Sequence, residues 1–220
     1  MNAGPLRAVV CDFGGVLTTP LVHAFAAMQA DAGIPPEALG QALADITAAD
    51  GSHPLHELET GRMTESAFMA KLDDALHKQL GRPVGMVDFG ARYFSHLYAN
   101  DAVIDYMRAL RERGYRMALL TNNVREWEPR WRAMLPVDEI FELVIDSAFV
   151  GMRKPDPAIY ELTLERLGLP ASECLFIDDI EVNCETATNM GMAAVRFSST
   201  TQTLEEVGAL LRERGTAGAP

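Results

Sequence analysis

Two stretches of this sequence place carboxylates directly after apolar, strand-like segments. Asp12 follows one such segment and precedes a pair of glycines, while Asp178 and Asp179 follow another. A carboxylate held at the end of a strand can act as a nucleophile. Two adjacent carboxylates repel each other unless hydrogen bonds or a cation compensate. A hard divalent ion with oxygen ligands is the natural compensator, so this pair indicates a metal site.

Two further segments offer a hydroxyl, backbone N–H groups and an ammonium. Thr121 and Asn122 end another apolar run, where they could hold phosphoryl oxygens. Lys154 precedes a proline, which favours an extended backbone and lets the ammonium project into a cleft. Asp156, in contrast, is expected to cap a helix that begins at Pro157. Each segment alone also fits an ordinary turn or a solvated side chain, so the interpretation depends on their order and placement.

The elements that must position these residues alternate along the chain. Apolar, strand-like runs are separated, after residue 97, by segments with helical periodicity that end at glycines. Such alternation predicts a parallel sheet covered by helices on both faces, with ligands at the carboxyl ends of the strands, where all four segments fall. The expected strands are 6–11, 116–120, 143–145, 174–177 and 193–197, and the expected helices are 102–113, 158–167 and 181–190.

The stretch from residue 18 to residue 97 interrupts this alternation. It contains no convincing strand, but it has several amphipathic segments separated by glycine and proline, one of them with Thr64 as a plausible N-cap. We therefore expect a helical insert at 18–97 and an α/β core formed by 1–17 and 98–220. The amphipathic segments are 21–32, 36–48 and 64–80.

Large apolar side chains of this insert lie mostly at helical spacing, which favours packing in a core over lining a pocket. Trp127 and Trp131 follow the Thr121 segment, and we interpret them as part of a helix packed on the core rather than as the border of an entrance. The insert residues concerned are Phe25, Met28, Phe68, Met69, Tyr93 and Phe94.

Composition limits the class of protein. With 220 residues, 48% of them hydrophobic, the chain is long enough to bury a sizeable core. A net charge of -12 argues against nucleic acid or an anionic membrane as partner. Cys11, Cys174 and Cys184 form no C-x-x-C pair, which favours a reducing compartment. With no signal-like N-terminus, we expect a cytoplasmic monomer or homodimer that acts on a small molecule.

Together, in this order and at strand ends, the four segments resemble the four motifs of the haloacid dehalogenase-like superfamily. The resemblance covers nearly the whole chain, and the helical insert is similar to that family's small cap. The segments LLTNN, VGMRKPDPAIYE and FIDDIEVN are most similar to the N-terminal phosphatase domain of soluble epoxide hydrolases and to its free-standing bacterial relatives. We expect no epoxide hydrolase domain to follow.

This resemblance implies a Rossmann-like parallel sheet with a small helical cap after the first strand. It also implies a Mg²⁺-dependent phosphatase of a small phosphorylated metabolite. Asp12 would attack phosphorus and form an aspartyl-phosphate that water then cleaves. Lys154 would neutralise charge on the nucleophile and on the transferring group. Thr121 and the backbone N–H of Asn122 would bind phosphoryl oxygens.

The resemblance also implies the metal ligands. Mg²⁺ would be held by the carboxylates of Asp12 and Asp179 and by the backbone carbonyl of Gly14, with waters completing an octahedron. Asp178 would orient one of those waters without binding the ion directly.

One position departs from the family pattern. Phosphatases of this family usually carry a second Asp two residues after the nucleophile as general acid and base, and here that position is Gly14. Such help is worth about 10²–10⁴ in rate. Either the substrate has a good leaving group, such as an anomeric sugar phosphate or an acyl phosphate, or a cap residue supplies the proton. We favour the first explanation, because the candidates for the second, His23 and Glu57, fit a surface histidine and a helix glutamate better.

Two alternatives stay open. A metal-independent 2-haloacid dehalogenase also lacks the second Asp, but it attacks carbon and has no need for the Asp178–Asp179 pair. A catalytically weak binding or regulatory protein of the same fold is supported only by Gly14, since the other motif residues are all present. The sequence therefore favours phosphoryl transfer.

Overall fold

A computed structural model describes residues 4–85 and 89–214, so the tail after Arg214 lies outside the described residues. The strands are β1 (Ala8–Cys11), β2 (Arg116–Thr121), β3 (Leu143–Asp146), β4 (Cys174–Asp178) and β5 (Ala193–Arg196). The helices are α1 (Leu21–Asp31), α2 (Pro36–Asp50), α3 (Pro54–Glu59), α4 (Glu65–Leu80), α5 (Phe89–Ser95), α6 (Asp101–Glu112), α7 (Glu128–Met134), α8 (Val137–Ile140), α9 (Ser147–Val150), α10 (Pro157–Leu167), α11 (Glu181–Asn189) and α12 (Thr200–Arg214).

The five strands form one parallel sheet in the order β3-β2-β1-β4-β5. This confirms the predicted α/β class and all five strands, with ends shifted by one or two residues. The central strand β1 (AVVC) and its neighbour β4 (CLFID) are buried along their whole length. Such strands have continuous apolar sequences because helices cover both faces of the sheet.

Alternate residues of β1 face opposite sides of the sheet. Val9 and Cys11 belong to a hydrophobic cluster that includes Met107 of α6. Val10 belongs to a second cluster that includes Ile159 of α10. Helices therefore cover both faces, as predicted, and all three cysteines are buried.

Helix ends agree with the signals in the sequence. Asp156 accepts a hydrogen bond from the backbone N–H of Ala158 at 3.0 Å, directly before Pro157 begins α10. Thr64 caps α4 by accepting a hydrogen bond from the N–H of Ala67 at 3.2 Å. Gly168 ends α10 with φ of 62°, a conformation that glycine adopts without steric cost.

Helices α1 to α5 lie between β1 and the start of α6, and the described residues of this segment include no strand. The six-residue α3 and the seven-residue α5 were not predicted, because so few residues leave little helical periodicity to detect. Thr18 and Ala99 form an isolated antiparallel bridge where the chain enters and leaves the segment. This closure supports, as a proposal, the division into an insert at 18–97 and a core.

None of the described helices combines the length and apolar character needed to cross a bilayer.

Candidate active site at the carboxyl ends of the strands

Strand register places the first carboxylate beside the carboxylate pair. β1 and β4 are parallel with Cys11 opposite Ile177, and the backbone N–H of Asp12 donates to the carbonyl of Ile177 at 2.9 Å. Asp12 therefore lies beside Asp178 at the same edge of the sheet. One carboxylate oxygen from each of Asp12, Asp178 and Asp179 lies within 4.8 Å of the others. The structure thus brings Asp12 close to Asp178 and Asp179, although Asp12 and Asp179 are 167 positions apart in the sequence.

Lys154 joins this group from the loop before α10. Its Nζ lies 2.7 Å from Asp12 Oδ1 and 2.7 Å from Asp178 Oδ2, and its side chain is 1% exposed. The side chain of Asn122 holds the lysine backbone in place. Asn122 Oδ1 accepts from the Lys154 N–H at 2.8 Å, and Asn122 Nδ2 donates to the Lys154 carbonyl at 3.0 Å. This positioning by the Asn122 side chain was not foreseen from the sequence.

The carboxylate of Asp12 is oriented by hydrogen bonds to one oxygen. Asp12 Oδ1 accepts from the N–H of Phe13 at 2.7 Å and contacts Lys154. Among the described residues, these contacts fix Oδ1 and leave Oδ2 without a hydrogen-bond donor. The carboxylate is therefore held in one orientation.

Asp178 is fully buried and fully hydrogen-bonded. Its Oδ1 accepts from the N–H of Ile180 at 2.8 Å, its Oδ2 contacts Lys154, and Asn183 Nδ2 donates to both oxygens at 3.0 and 3.1 Å. A carboxylate has about four acceptor sites, so these donors occupy its capacity. Asn183 was missed, and its only signal is its position in the first turn of the helix after the carboxylate pair.

Negative charge exceeds positive charge in this cluster. When all of these groups are ionised, three carboxylates face one ammonium, and two negative charges are left uncompensated. Burial raises the pKa of Asp12 to about 7; Lys154 opposes this rise and Asp178 adds to it. The pKa of Asp179 is raised by burial and by Asp178. Burial alone would lower the pKa of Lys154, but Asp12 and Asp178 hold it above its ordinary value.

The composition of the cluster fits a divalent cation. All of its acceptor atoms are carboxylate oxygens, the ligands that Mg²⁺ prefers, and its excess charge matches that of such an ion. Gly15 permits this arrangement, because it has φ of 78° and a Cβ there would lie 2.3 Å from Asp179 Oδ2. Only glycine lets this loop approach the carboxylate so closely.

A cavity of about 350 Å³ lies between these loops and the helical insert. Phe13, Gly14, Thr121 and Asn122 line its core side. Four of the insert aromatics pack in or against the hydrophobic core, as expected, but together with Trp127 they also line the cavity: Phe25, Phe68, Tyr93 and Phe94. Helical spacing shows which face of a helix is apolar, but it does not show whether protein or a cavity lies against that face. Met28, Met69 and Trp131 are buried core residues, as expected.

The residues considered as replacement acids lie elsewhere. His23 is exposed. Glu57 forms an ion pair with Arg62 at 2.7 Å, and this hydrogen bond lowers its pKa. Among the described lining residues, Glu59 is the only acid, and it pairs with Arg153 at 2.7 Å. Nothing in the local sequence distinguishes Glu59 from Glu57.

Comparison with known proteins agrees with this geometry. Residues 6–191 match the model of the haloacid dehalogenase-like hydrolase family. The chain is 27% identical over 214 residues to bifunctional epoxide hydrolase 2 of Sus scrofa, covering 92% of this chain but 38% of that protein. It is 25% identical over 218 residues to sesquiterpene phosphatase astK of Aspergillus oryzae, covering 93% of this chain and 96% of that one.

Solved structures show the same fold. A family enzyme of Bacteroides thetaiotaomicron, in complex with magnesium and inorganic phosphate, aligns with a TM-score of 0.62 and 23% identity. The alignment covers 87% of this chain and 93% of that one. This chain therefore shares its arrangement of sheet and helices with a phosphate-binding protein.

Proposed function

Because the chain belongs to the haloacid dehalogenase-like hydrolase family, we propose that it is a Mg²⁺-dependent phosphatase with Asp12 as covalent nucleophile. The observation that carries this proposal is the buried contact of Lys154 with Asp12 and Asp178, with Asp179 adjacent. The Aspergillus oryzae relative is named a phosphatase, and the Bacteroides thetaiotaomicron enzyme was solved with magnesium and phosphate, which supports the same chemistry here.

In the proposed reaction, Asp12 Oδ2 attacks the phosphorus of a small phosphate monoester. A bond forms between this oxygen and phosphorus while the bond to the leaving-group oxygen breaks. Water then attacks the phosphorus of the aspartyl-phosphate, releasing inorganic phosphate and restoring the carboxylate. Lys154 stays in contact with Asp12 and neutralises charge that develops on the transferring group. Thr121 and the Asn122 N–H would bind phosphoryl oxygens.

Mg²⁺ held by the carboxylates of Asp12 and Asp179 and the carbonyl of Gly14 would supply further charge neutralisation between nucleophile and phosphate. Asp178 would act indirectly, by fixing Lys154 and orienting a water. The division of labour between Asp178 and Asp179 follows from their surroundings: Asp178 is buried and saturated with donors, while Asp179 is partly exposed.

Gly14 cannot donate a proton to the leaving group. Neither His23 nor Glu57 is among the described residues that line the cavity, which favours our first explanation, a substrate with a good leaving group. This hypothesis predicts a strong dependence of rate on the leaving-group pKa. Equal turnover of alkyl phosphates and anomeric phosphates would contradict it.

The decisive experiment is phosphate release from phenyl phosphate with Mg²⁺ and with EDTA. We expect release with Mg²⁺ only, and its loss in Asp12→Asn, because the amide cannot act as the nucleophile. Asp156→Asn is the matched control, since it changes a helix cap on the neighbouring loop and asparagine caps equally well. Halide release from a 2-haloacid, undiminished by EDTA, would instead identify a dehalogenase. Absence of both reactions would favour a binding protein.

The predictions of a cytoplasmic location and of a monomer or homodimer come from the sequence alone and stay predictions.

A further inference from the structure

The cavity next to the proposed nucleophile is strongly apolar. It begins at Phe13 and Gly14, directly after Asp12, and extends between leucine and phenylalanine side chains of the insert. Among the described lining residues, Glu59 alone carries charge at neutral pH, and Arg153 pairs with it at 2.7 Å. A ligand in this cavity would therefore meet hydrocarbon over most of its surface.

Size and position distinguish this space from a packing defect. Its volume of about 350 Å³ falls in the range of small-molecule sites, about 300–1,000 Å³. Leu21, Leu39 and Leu43 are only partly buried, although they pack against the hydrophobic core and line the cavity. Protein interiors are otherwise closely packed, so an apolar space of this size adjoining reactive groups is suited to an apolar ligand.

The wall nearest the nucleophile is also apolar. A Cβ at Gly14 would lie 2.8 Å from Leu21 Cδ1, so the isobutyl group of Leu21 occupies the space beside this residue. Where related phosphatases carry a carboxylate, this chain places a leucine side chain from α1. The organic group of a substrate would thus meet hydrocarbon from the first atoms beyond the phosphate.

We propose that the substrate is the phosphate of an apolar group with a good leaving oxygen, such as a hydrophobic phenol or carboxylic acid, whose hydrocarbon part occupies this cavity; the inference rests on the phosphatase function proposed above. A sugar phosphate fits less well, because the lining is mostly hydrocarbon and offers few hydrogen-bond partners to hydroxyl groups that would lose water. Of the two leaving groups favoured from the sequence, an acyl phosphate with a hydrocarbon chain suits the cavity better than an anomeric sugar phosphate.

A series of 4-alkylphenyl phosphates tests this inference, because the leaving-group pKa stays nearly constant while the apolar group grows. From phenyl through 4-ethyl and 4-butyl to 4-hexyl, we expect kcat/KM to rise about fourfold per added methylene until the cavity is full. The 4-propyl ester should be preferred over the equally large 4-(2-hydroxyethyl) ester. Hydrolysis of phenyl phosphate with no rise along the series would overturn the inference and leave the phosphatase function intact. No hydrolysis of any ester would overturn the phosphatase function itself.

Two variants test whether the alkyl group binds in this cavity. Leu43→Gln puts a polar group on the cavity wall and should flatten the increase along the series. Leu80→Gln is the control, because Leu80 is also a half-buried leucine of an insert helix but does not line the cavity. Circular dichroism should show that both variants fold. An unchanged slope in folded Leu43→Gln, equal to that of Leu80→Gln, would show that the alkyl group binds elsewhere.

Discussion

Lys154 illustrates how the residues of this site depend on each other. It is buried with two carboxylates at 2.7 Å, although taking charges out of water is costly. Two hydrogen bonds between the Asn122 side chain and the Lys154 backbone, and one from Asn183 to Asp178, fix the group in one geometry. A group of charges buried at this cost in free energy is consistent with a site that acts on a charged substrate.

Gly15 provides a test at the scale of one residue. Gly15→Ala should raise the Mg²⁺ concentration for half-maximal activity about 10–100-fold. The new Cβ would lie 2.3 Å from Asp179 Oδ2 and would therefore displace this carboxylate. The measurement is phosphate release from phenyl phosphate against Mg²⁺ concentration.

Gly168→Ala is the matched control. Gly168 also has positive φ, but no atom lies within 4 Å of its hypothetical Cβ. Both variants should lose about 1–2 kcal/mol of stability through backbone strain, and only Gly15→Ala should change the Mg²⁺ requirement. An equal Mg²⁺ requirement in both variants would exclude Asp179 as a ligand.

At the scale of elements, the insert contacts the core through backbone as well as side chains. Gly61, just after α3, has φ of 68°, and a Cβ there would lie 2.3 Å from the carbonyl oxygen of Ala148 in α9. Glu126 of the core accepts a hydrogen bond from the N–H of Glu65, at the start of α4, at 3.1 Å. These contacts hold the insert over the edge of the sheet that carries Asp12.

Gly61→Ala should therefore push the insert away from the core and enlarge the cavity. We expect kcat/KM for phenyl phosphate to fall about 10–100-fold, in line with the sensitivity of catalysis to displacements of about 1 Å. Gly51→Ala shares the positive φ, but its hypothetical Cβ meets no atom within 4 Å. Equal kcat/KM in the two variants would show that docking of the insert does not limit catalysis.

At the scale of the whole molecule, a net charge of -12 opposes the approach of any phosphate ester. Lys154 alone leaves an excess of carboxylate at the site, so charge reversal there requires a cation. A cation that binds the folded state and not the unfolded state should also stabilise the protein against unfolding.

Addition of Mg²⁺ should consequently raise the melting temperature. At a concentration about 100 times Kd, the gain in free energy of unfolding should be about 2.7 kcal/mol, and EDTA should reverse it. Differential scanning calorimetry measures the shift, and Asp179→Asn should remove most of it. A melting temperature insensitive to Mg²⁺ in the parent protein would contradict the metal site.

Sequence patterns alone determined the five strands, the parallel sheet and the family. Apolar runs, helical periodicity and the glycines that end helices depend on local conformation and burial, so they can be detected in the sequence. The motif segments identify the family because they occur in a fixed order at the ends of strands. The sequence also identified Asp12, Lys154, Asp178 and Asp179 as residues that should meet, because parallel strands end at a common edge.

Only the tertiary structure decided how these residues interact and what surrounds them. The Asn122 side chain, Asn183 and Glu59 acquire their contacts through register and helix packing, which join residues far apart in the chain. The apolar cavity likewise depends on whether insert helices meet each other or leave space between them. Local periodicity is the same in both cases, so only the packing of α1 to α5 against the core could show that Phe25, Phe68, Tyr93 and Phe94 line a cavity.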